Sequence, residues 1–294
     1  WHERAAAPLA KALAQLHDEW PFELIHAHYA LPSGGAALPF ARERGLPVVI
    51  SVHGGDVLGP LLQGDAARAA VATVLGGASE VLCNSRATLT RVAELVRDDE
   101  RLRVVHLGAD APAEPPAKRT RTTVATLGHV VARKRHIDVL EAIATLEDVD
   151  WLVIGDGPEL PALQRRAAEL GVEQRVELAG QLAPEDALRE LASAHVMALP
   201  SEDEAFGVAY VEALACGVPA IGCAGEGGPE EIAALGDGML LVPPRDPGAL
   251  AAAIRAALAD PELPARARRN AVEHFSWQRC GRDTVAAYRD ALAG

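Results

Sequence analysis

The sequence predicts an α/β protein built from two doubly wound, parallel-sheet domains. Three observations carry that prediction. From residue 23 onward, short β-branched or aliphatic runs alternate with longer stretches of helical spacing; a proline-rich segment at 108–122 interrupts the rhythm once; and the rhythm then restarts. At 294 residues the chain is also longer than one ordinary core supports.

In the first half the strand candidates are ELIHA (23–27), PVVISV (47–52), EVLC (80–83) and RVVHL (103–107). Each is followed by Gly, Ser or Asn and then by helix-like spacing, a βαβ rhythm that implies a parallel sheet. The segment GADAPAEPPAKRTRT (108–122) carries three prolines among mixed charges and reads as a linker. Beyond it the strands are TVATLG (123–128), WLVIG (151–155), RVELAG (175–180), HVMALP (195–200), PAIGC (219–223) and GMLLV (238–242). Helices such as 159–170, 185–193, 207–215 and 248–258 fall between them. A last helix, from about Trp277 to Ala293, is long enough to return to the first domain. The expected domains are therefore 1–116, joined by 277–294, and 117–276.

Composition excludes several classes of function. A net charge of −13 opposes nonspecific nucleic-acid binding, which needs clustered Lys and Arg against phosphate. Aromatic residues at 4% are too few for a base-stacking surface. Cys83, Cys216, Cys223 and Cys280 lack CxxC spacing and read as reduced thiols, so a structural zinc is not expected. No apolar run reaches 18 residues and no signal pattern opens the chain, which makes cytoplasm the expected compartment. The basic run at 264–270, with Arg266, Arg268 and Arg269, reads as a solvated helix face rather than a lipid contact.

Open α/β sheets bind ligands at the carboxyl ends of their strands, and the informative motifs all fall there. GHVVARKRH (128–136) places Arg133, Lys134 and Arg135 on a strand-to-helix loop where a phosphate could sit, against the plain alternative of a solvated basic turn. VIGDGPEL (153–160) supplies Gly155 and Gly157, but Leu160 stands where a dinucleotide fingerprint needs its third glycine. It reads as a tight turn, not an NAD site. HAH (26–28) puts His26 and His28 on one strand face, where they could form half of a metal site with Asp56, His53 or His106; satisfied polar groups at a sheet edge are the competing reading. SVHGGDV (51–57) sets His53 just past a strand, before two glycines that admit a ligand close to the backbone.

The stretch PSEDEAFGVAYVEALACGVPAIG (200–222) is the most informative. Glu204 precedes a helix that begins near Phe206 and Gly207, and Glu212 lies about two turns further on. The free N–H groups at 207 and 208 can receive a phosphate, Glu212 can accept from two adjacent ribose hydroxyls, and Glu204 can face a group beyond the phosphates. Acidic residues placed against a helix dipole give the same pattern without any ligand.

These motifs, with RVELAGQL and GEGGPEEI in the second half and ELIHAHYALPSGGAAL, LCNSRATL and VVHLGAD in the first, resemble retaining glycosyltransferases of the GT-B fold, family four. The resemblance spans most of the chain and implies two Rossmann-like domains facing a cleft. It implies metal-free hexosyl transfer from a nucleotide diphosphate sugar, UDP- or GDP-linked, to an acceptor hydroxyl, with no cofactor besides the donor. The acceptor would be a sugar, a lipid-linked glycan or a small metabolite, which leaves peripheral contact at the inner membrane face open.

By the same resemblance Lys134 binds the diphosphate, with Gly128, His129 and Arg133 beside it; Glu212 binds the ribose; and Glu204 faces the donor sugar. Phe206, Gly207 and Val208 supply backbone contacts, His53 sits beside sugar and acceptor, and the base is held around Gly180, Gln181 and Leu182. The catalytic set is then His53, Glu204 and Lys134. His129 departs from the family's usual arginine, and Arg133 or Arg135 is expected to compensate. A family member would also begin with a further strand and a glycine-rich loop ahead of WPFELIHAH, so the first domain is expected to be incomplete and to expose an edge strand. Three other functions remain: a nucleotide-sugar-binding module without turnover, a metal-dependent hydrolase using His26, His28 and Asp56, and a sugar epimerase on the same fold.

Overall fold

A computed structural model describes residues 2–57, 64–96 and 100–294. The chain forms two compact units, residues 1–107 with 278–294, and residues 108–277.

In the first unit, β1 (Ile25–His28), β2 (Val48–Val52), β3 (Glu80–Cys83) and β4 (Leu102–Val104) form a parallel sheet in the order β1-β2-β3-β4. The crossovers carry α2 (Gly35–Arg44), α3 (Asp65–Gly76) and α4 (Arg86–Val96). Strand β2 is buried at every position, as a strand covered on both faces must be, which is why it reads as an unbroken Val-Val-Ile-Ser-Val run. Ile50, Val52 and Val81 point into one core. On the other face, Val49, Leu82 and Val105 pack against Ala287 and Ala291 of α12 (Trp277–Ala293), whose small side chains let the helix approach closely. Arg103 pins that helix by pairing with Glu80 at 2.6 Å and Asp290 at 2.7 Å. One element was not foreseen: α1 (His2–Glu19) precedes the first strand and packs Leu13 and Ala14 on the same core as Ile50.

The second unit has a six-stranded sheet in the order β10-β9-β8-β5-β6-β7, every pair parallel. Its strands are β5 (Thr122–Leu127), β6 (Val149–Ile154), β7 (Val176–Gly180), β8 (Val196–Ala198), β9 (Ala220–Cys223) and β10 (Met239–Val242). Successive strands step outward from β5 to β7, and the chain then returns to lay β8 on the other side of β5. That reversal opens a crevice at the carboxyl ends of β5 and β8. The core beneath includes Trp151, which is fully buried and donates its indole N–H to Thr126 Oγ1 at 2.8 Å. The Thr126 hydroxyl in turn donates to the Ala198 carbonyl at 2.8 Å, so β6, β5 and β8 are tied at one level by satisfied polar groups.

Helices α5 (His136–Ala144), α6 (Leu160–Glu169), α7 (Pro184–Ser193), α8 (Val208–Ala215), α9 (Gly227–Leu235), α10 (Pro247–Ala259) and α11 (Leu263–His274) complete the unit. Pro184 and Pro247 stand at helix starts, where a missing N–H costs nothing. Asp246 caps α10 by accepting the Ala249 N–H at 2.8 Å. The later part of the expected linker is not free. Lys118 donates to the carbonyls of Ala192 and Ala194 at the end of α7, and Arg119 bridges Glu177 and Glu190, so unused helix carbonyls and nearby carboxylates fix a stretch that its prolines alone suggested was loose. On α11, Arg266 is engaged by Asp237 and Asp260. No helix among the described residues is long and apolar enough to cross a membrane.

Candidate functional site

A cavity of about 360 Å³ lies at the crevice of the second unit. Its walls come from the loop after β5, the loop after β8, and the first turns of α7 and α8. Among the residues singled out in the sequence it gathers Gly128, His129, Lys134, Glu204, Gly207, Val208 and Glu212.

The two loops are built to meet. Gly128 N–H donates to the Ile154 carbonyl, Val130 N–H to the Asp156 carbonyl and Glu159 N–H to the Val130 carbonyl, which lays the loop after β5 across the turn after β6. Side chains at Gly155 or Gly157 would collide with the backbone of Gly128 and Val130, so the glycine pair is needed for this crossing. Glu202 N–H then donates to the Arg133 carbonyl at 2.8 Å and joins the second loop to the first.

Lys134 and Glu204 face each other in an ion pair, with only 13% and 11% of their side chains exposed. The Glu204 carboxylate also accepts from Ser201 Oγ at 2.9 Å, and its backbone N–H donates to the Glu226 carboxylate at 2.8 Å. Helix α8 starts from Gly207, whose φ of 87° and closeness to the Tyr210 ring leave no room for a side chain. The first N–H groups of α8 are left without intrahelical acceptors and present positive potential to the cavity. Burial, helped by the like charge of Asp110, pushes the Glu212 carboxyl up to about 7.

Other expected site residues do not line this cavity. Phe206 is 1% exposed and packs on Phe275 with ring centroids 5.9 Å apart, so its ring belongs to the core, while the contact expected of it is one of backbone. Arg133, Gly180, Gln181 and Leu182 are not among the cavity's lining residues. Arg135 is held bidentately by Asp138 at 2.7 and 2.9 Å and is not a spare cation beside His129. In place of the loop after β7, the cavity uses Pro184, Ala187 and Leu188 of α7.

In the first unit, His26, His28 and His53 form a column at the carboxyl ends of β1 and β2, with ring centroids 4.6 and 5.2 Å apart. His26 is fully engaged, by Tyr288 OH at 2.6 Å and Ser51 Oγ at 2.8 Å, and burial together with the charges of its two neighbours lowers its pKa to about 4. His28 Nδ1 lies 2.9 Å from His53 Nε2, and burial lowers the pKa of His53 as well, which keeps it neutral near pH 7. Asp56 is 4% exposed, and burial pushes its carboxyl to about 6. Among the described residues no three His, Cys, Asp or Glu side chains are placed to hold a metal ion.

The sequence model of glycosyl transferases group 1 matches residues 109–274, and that of the glycosyl transferase 4-like domain matches residues 1–108. The chain belongs to the glycosyl transferases group 1 family. A D-inositol 3-phosphate glycosyltransferase of Mycobacterium sp. (strain KMS) is 32% identical over 307 residues, covering 94% of this chain and 68% of that protein. Among solved structures, Anabaena HepE in complex with UDP and glucose superposes with a TM-score of 0.81 at 22% identity, over 96% of this chain and 80% of that one. A sucrose-phosphate synthase from Thermosynechococcus elongatus superposes with a TM-score of 0.83 at 24% identity, over 99% and 79%. The two parallel-sheet units are those of the GT-B fold.

Within this family member, sequence reading missed the residues that support the cavity. Ser201 donates to the Glu204 carboxylate and meets Tyr210 behind it, Glu226 accepts from the Glu204 N–H, and Asp110 acts on Glu212. The α7 wall had a readable signal, an apolar 184, 187, 188 spacing behind a helix-starting proline. Asp110 had none, since it approaches Glu212 from a segment about a hundred positions earlier.

Proposed function

We propose that this glycosyltransferase moves a sugar from a nucleotide diphosphate sugar to an acceptor hydroxyl, with retention of anomeric configuration and without a metal ion. The observation that carries this reading is the meeting, around one cavity, of Lys134, the α8 N-terminus and two carboxylates, Glu204 on the loop ahead of α8 and Glu212 on the helix itself. Lys134 and the α8 N–H groups meet the diphosphate, Glu212 accepts from the ribose hydroxyls, and Glu204 orients the sugar. When the bond between the sugar's anomeric carbon and the phosphate oxygen breaks, both electrons leave on that oxygen, and the fixed cation and helix end stabilise the charge. The acceptor oxygen forms the new bond and its proton passes to a base. His53, neutral near pH 7, is our candidate for a group acting on the acceptor.

That relatives include a D-inositol 3-phosphate glycosyltransferase, and a solved neighbour holds UDP and glucose, supports a UDP-sugar as the first donor to test. Calorimetry of the 294-residue chain with UDP, GDP and ADP, with UDP-glucose and GDP-mannose tested for sugar release, decides the matter. Saturable binding of one nucleotide with release of sugar from its conjugate is expected. Failure of all three nucleotides to bind would sink the proposal; binding without release would reduce it to a donor-binding site.

A further inference from the structure

Three polar contacts run in series beneath the cavity, and two hydrogens serve them. Glu204 Oε2 lies 2.9 Å from Ser201 Oγ, Ser201 Oγ lies 2.9 Å from Tyr210 OH, and Tyr210 OH lies 2.6 Å from the Leu199 carbonyl oxygen. Ser201 and Tyr210 bring one hydroxyl hydrogen each, while an ionised carboxylate and a carbonyl only accept. Both residues are 0% exposed, so bulk water does not supply a third donor.

With Glu204 seated, Ser201 donates to the carboxylate, Tyr210 donates to Leu199, and the contact between the two hydroxyls carries no hydrogen. With Glu204 turned away, the Ser201 hydroxyl rotates to donate to Tyr210, and Tyr210 keeps its bond to Leu199. Neither hydroxyl hydrogen is stranded in either arrangement, so the usual penalty for removing a buried partner does not hold the carboxylate in place. The backbone has an anchor of its own: Glu204 N–H donates to Glu226 at 2.8 Å, which lets the side chain turn without the loop.

The other partner of Glu204 is Lys134, bound to the same oxygen that Ser201 reaches. A lysine neutralised in this way cannot meet a diphosphate with its full charge. We propose that Glu204 is a resident anion that occupies Lys134 in the ligand-free protein and is exchanged there for the donor diphosphate. The freed carboxylate then faces the sugar, and Ser201 and Tyr210 are the positioning residues that make the exchange cheap. This rests on the assignment of Lys134 to the diphosphate.

The test is calorimetry with inorganic pyrophosphate and UDP, with uridine as the control that lacks phosphate. Glu204→Gln keeps shape and loses charge, so it should bind pyrophosphate about tenfold more tightly than the wild type, with uridine unchanged. Ser201→Ala removes one of the bonds seating Glu204 and should also tighten pyrophosphate binding. Tyr210→Phe removes the acceptor that Ser201 needs once Glu204 has left, and should weaken it. A purely structural role for the two hydroxyls predicts weakening in both variants, so opposite signs are the signature. Unchanged or weaker pyrophosphate binding by Glu204→Gln overturns the exchange, while loss of binding in Lys134→Ala would leave the phosphate assignment standing. If Lys134→Ala binds pyrophosphate like the wild type, the assignment fails and the exchange with it. Absence of pyrophosphate binding in every variant overturns both.

Discussion

Glu212 offers the most direct check on the chemistry of the cavity. Burial first, then the like charge of Asp110, raises its carboxyl from an ordinary 4.5 to about 7. At ~1.4 kcal/mol for each tenfold change, that rise corresponds to about 3 kcal/mol, and residual solvent contact reduces it to roughly 1–3 kcal/mol. Below the unfolded value the carboxyl is protonated in both states and its contribution is fully present. As pH rises from about 4.5 to 7 the unfolded chain gives up the proton first and stability falls; above 7 the loss is complete and constant. Glu212→Gln removes this slope, so the variant should exceed the wild type by roughly 1–3 kcal/mol above neutrality and match it near pH 4.5. Denaturant unfolding at a series of pH values measures the difference. Nucleotide binding should move the opposite way, with the variant losing about 1–3 kcal/mol of UDP or GDP affinity at pH 8, because one of the two carboxylate oxygens that accept from the ribose hydroxyls becomes an NH2 donor and the charge is lost. Parallel stability curves for the two proteins from pH 4.5 to 8 would refute the raised carboxyl; equal nucleotide affinity at pH 8 would refute the ribose contact.

Three further outcomes follow from the same geometry. Asp110→Asn removes the like charge but can still accept from the Trp277 indole N–H, so the Glu212 transition in the unfolding series should shift to lower pH; an unmoved transition would assign the whole effect to burial. Gly207→Ala must adopt a φ of 87° and displace the Tyr210 ring, which should cost roughly 1–3 kcal/mol and abolish UDP binding; a variant as stable as the wild type would mean that the loop relaxes freely. In the first unit, Asp56 carries a buried Oδ2 without a partner among the described residues, and burial raises it from 3.8 to about 6. Asp56→Asn should therefore lose the fall in stability that the wild type shows as pH rises from about 3.8 to 6, and a retained slope over that window in unfolding experiments would place its origin elsewhere.

Much of the fold was legible because a parallel strand covered on both faces must be apolar at nearly every position. Val48–Val52 and Trp151–Ile154 read as strands for that reason, and the glycines, serines and asparagines after such runs mark where the chain turns into a helix. Helix α1 escaped because its apolar positions are mostly alanines, because Pro8 interrupts the pattern, and because Leu9 and Leu16 are exposed while Leu13 is packed. The segment ahead of β5 misled in the opposite direction. Its prolines are a local signal of looseness, but Lys118 and Arg119 act through partners more than 50 positions away, which no local pattern encodes.

The same distinction decides which site residues the sequence could name. Because β8 returns to the side of β5 that β6 does not occupy, the loops after β5 and β8 are forced together at the strand reversal. Lys134 and Glu204 therefore meet although they are 70 positions apart. Neighbourhood along the chain is a weaker guide. Arg133 and Arg135 flank Lys134, yet one is exposed and the other is claimed by Asp138. On α8, Val208 and Glu212 both line the cavity because four residues, about one turn, bring the helix round to the same wall. A carboxylate on the loop ahead of a helix and a second one on that helix can thus be read from sequence, and so can the glycine that starts it. Whether the first carboxylate is free to act cannot, because that depends on how two hydroxyl hydrogens are shared among three contacts in the folded protein.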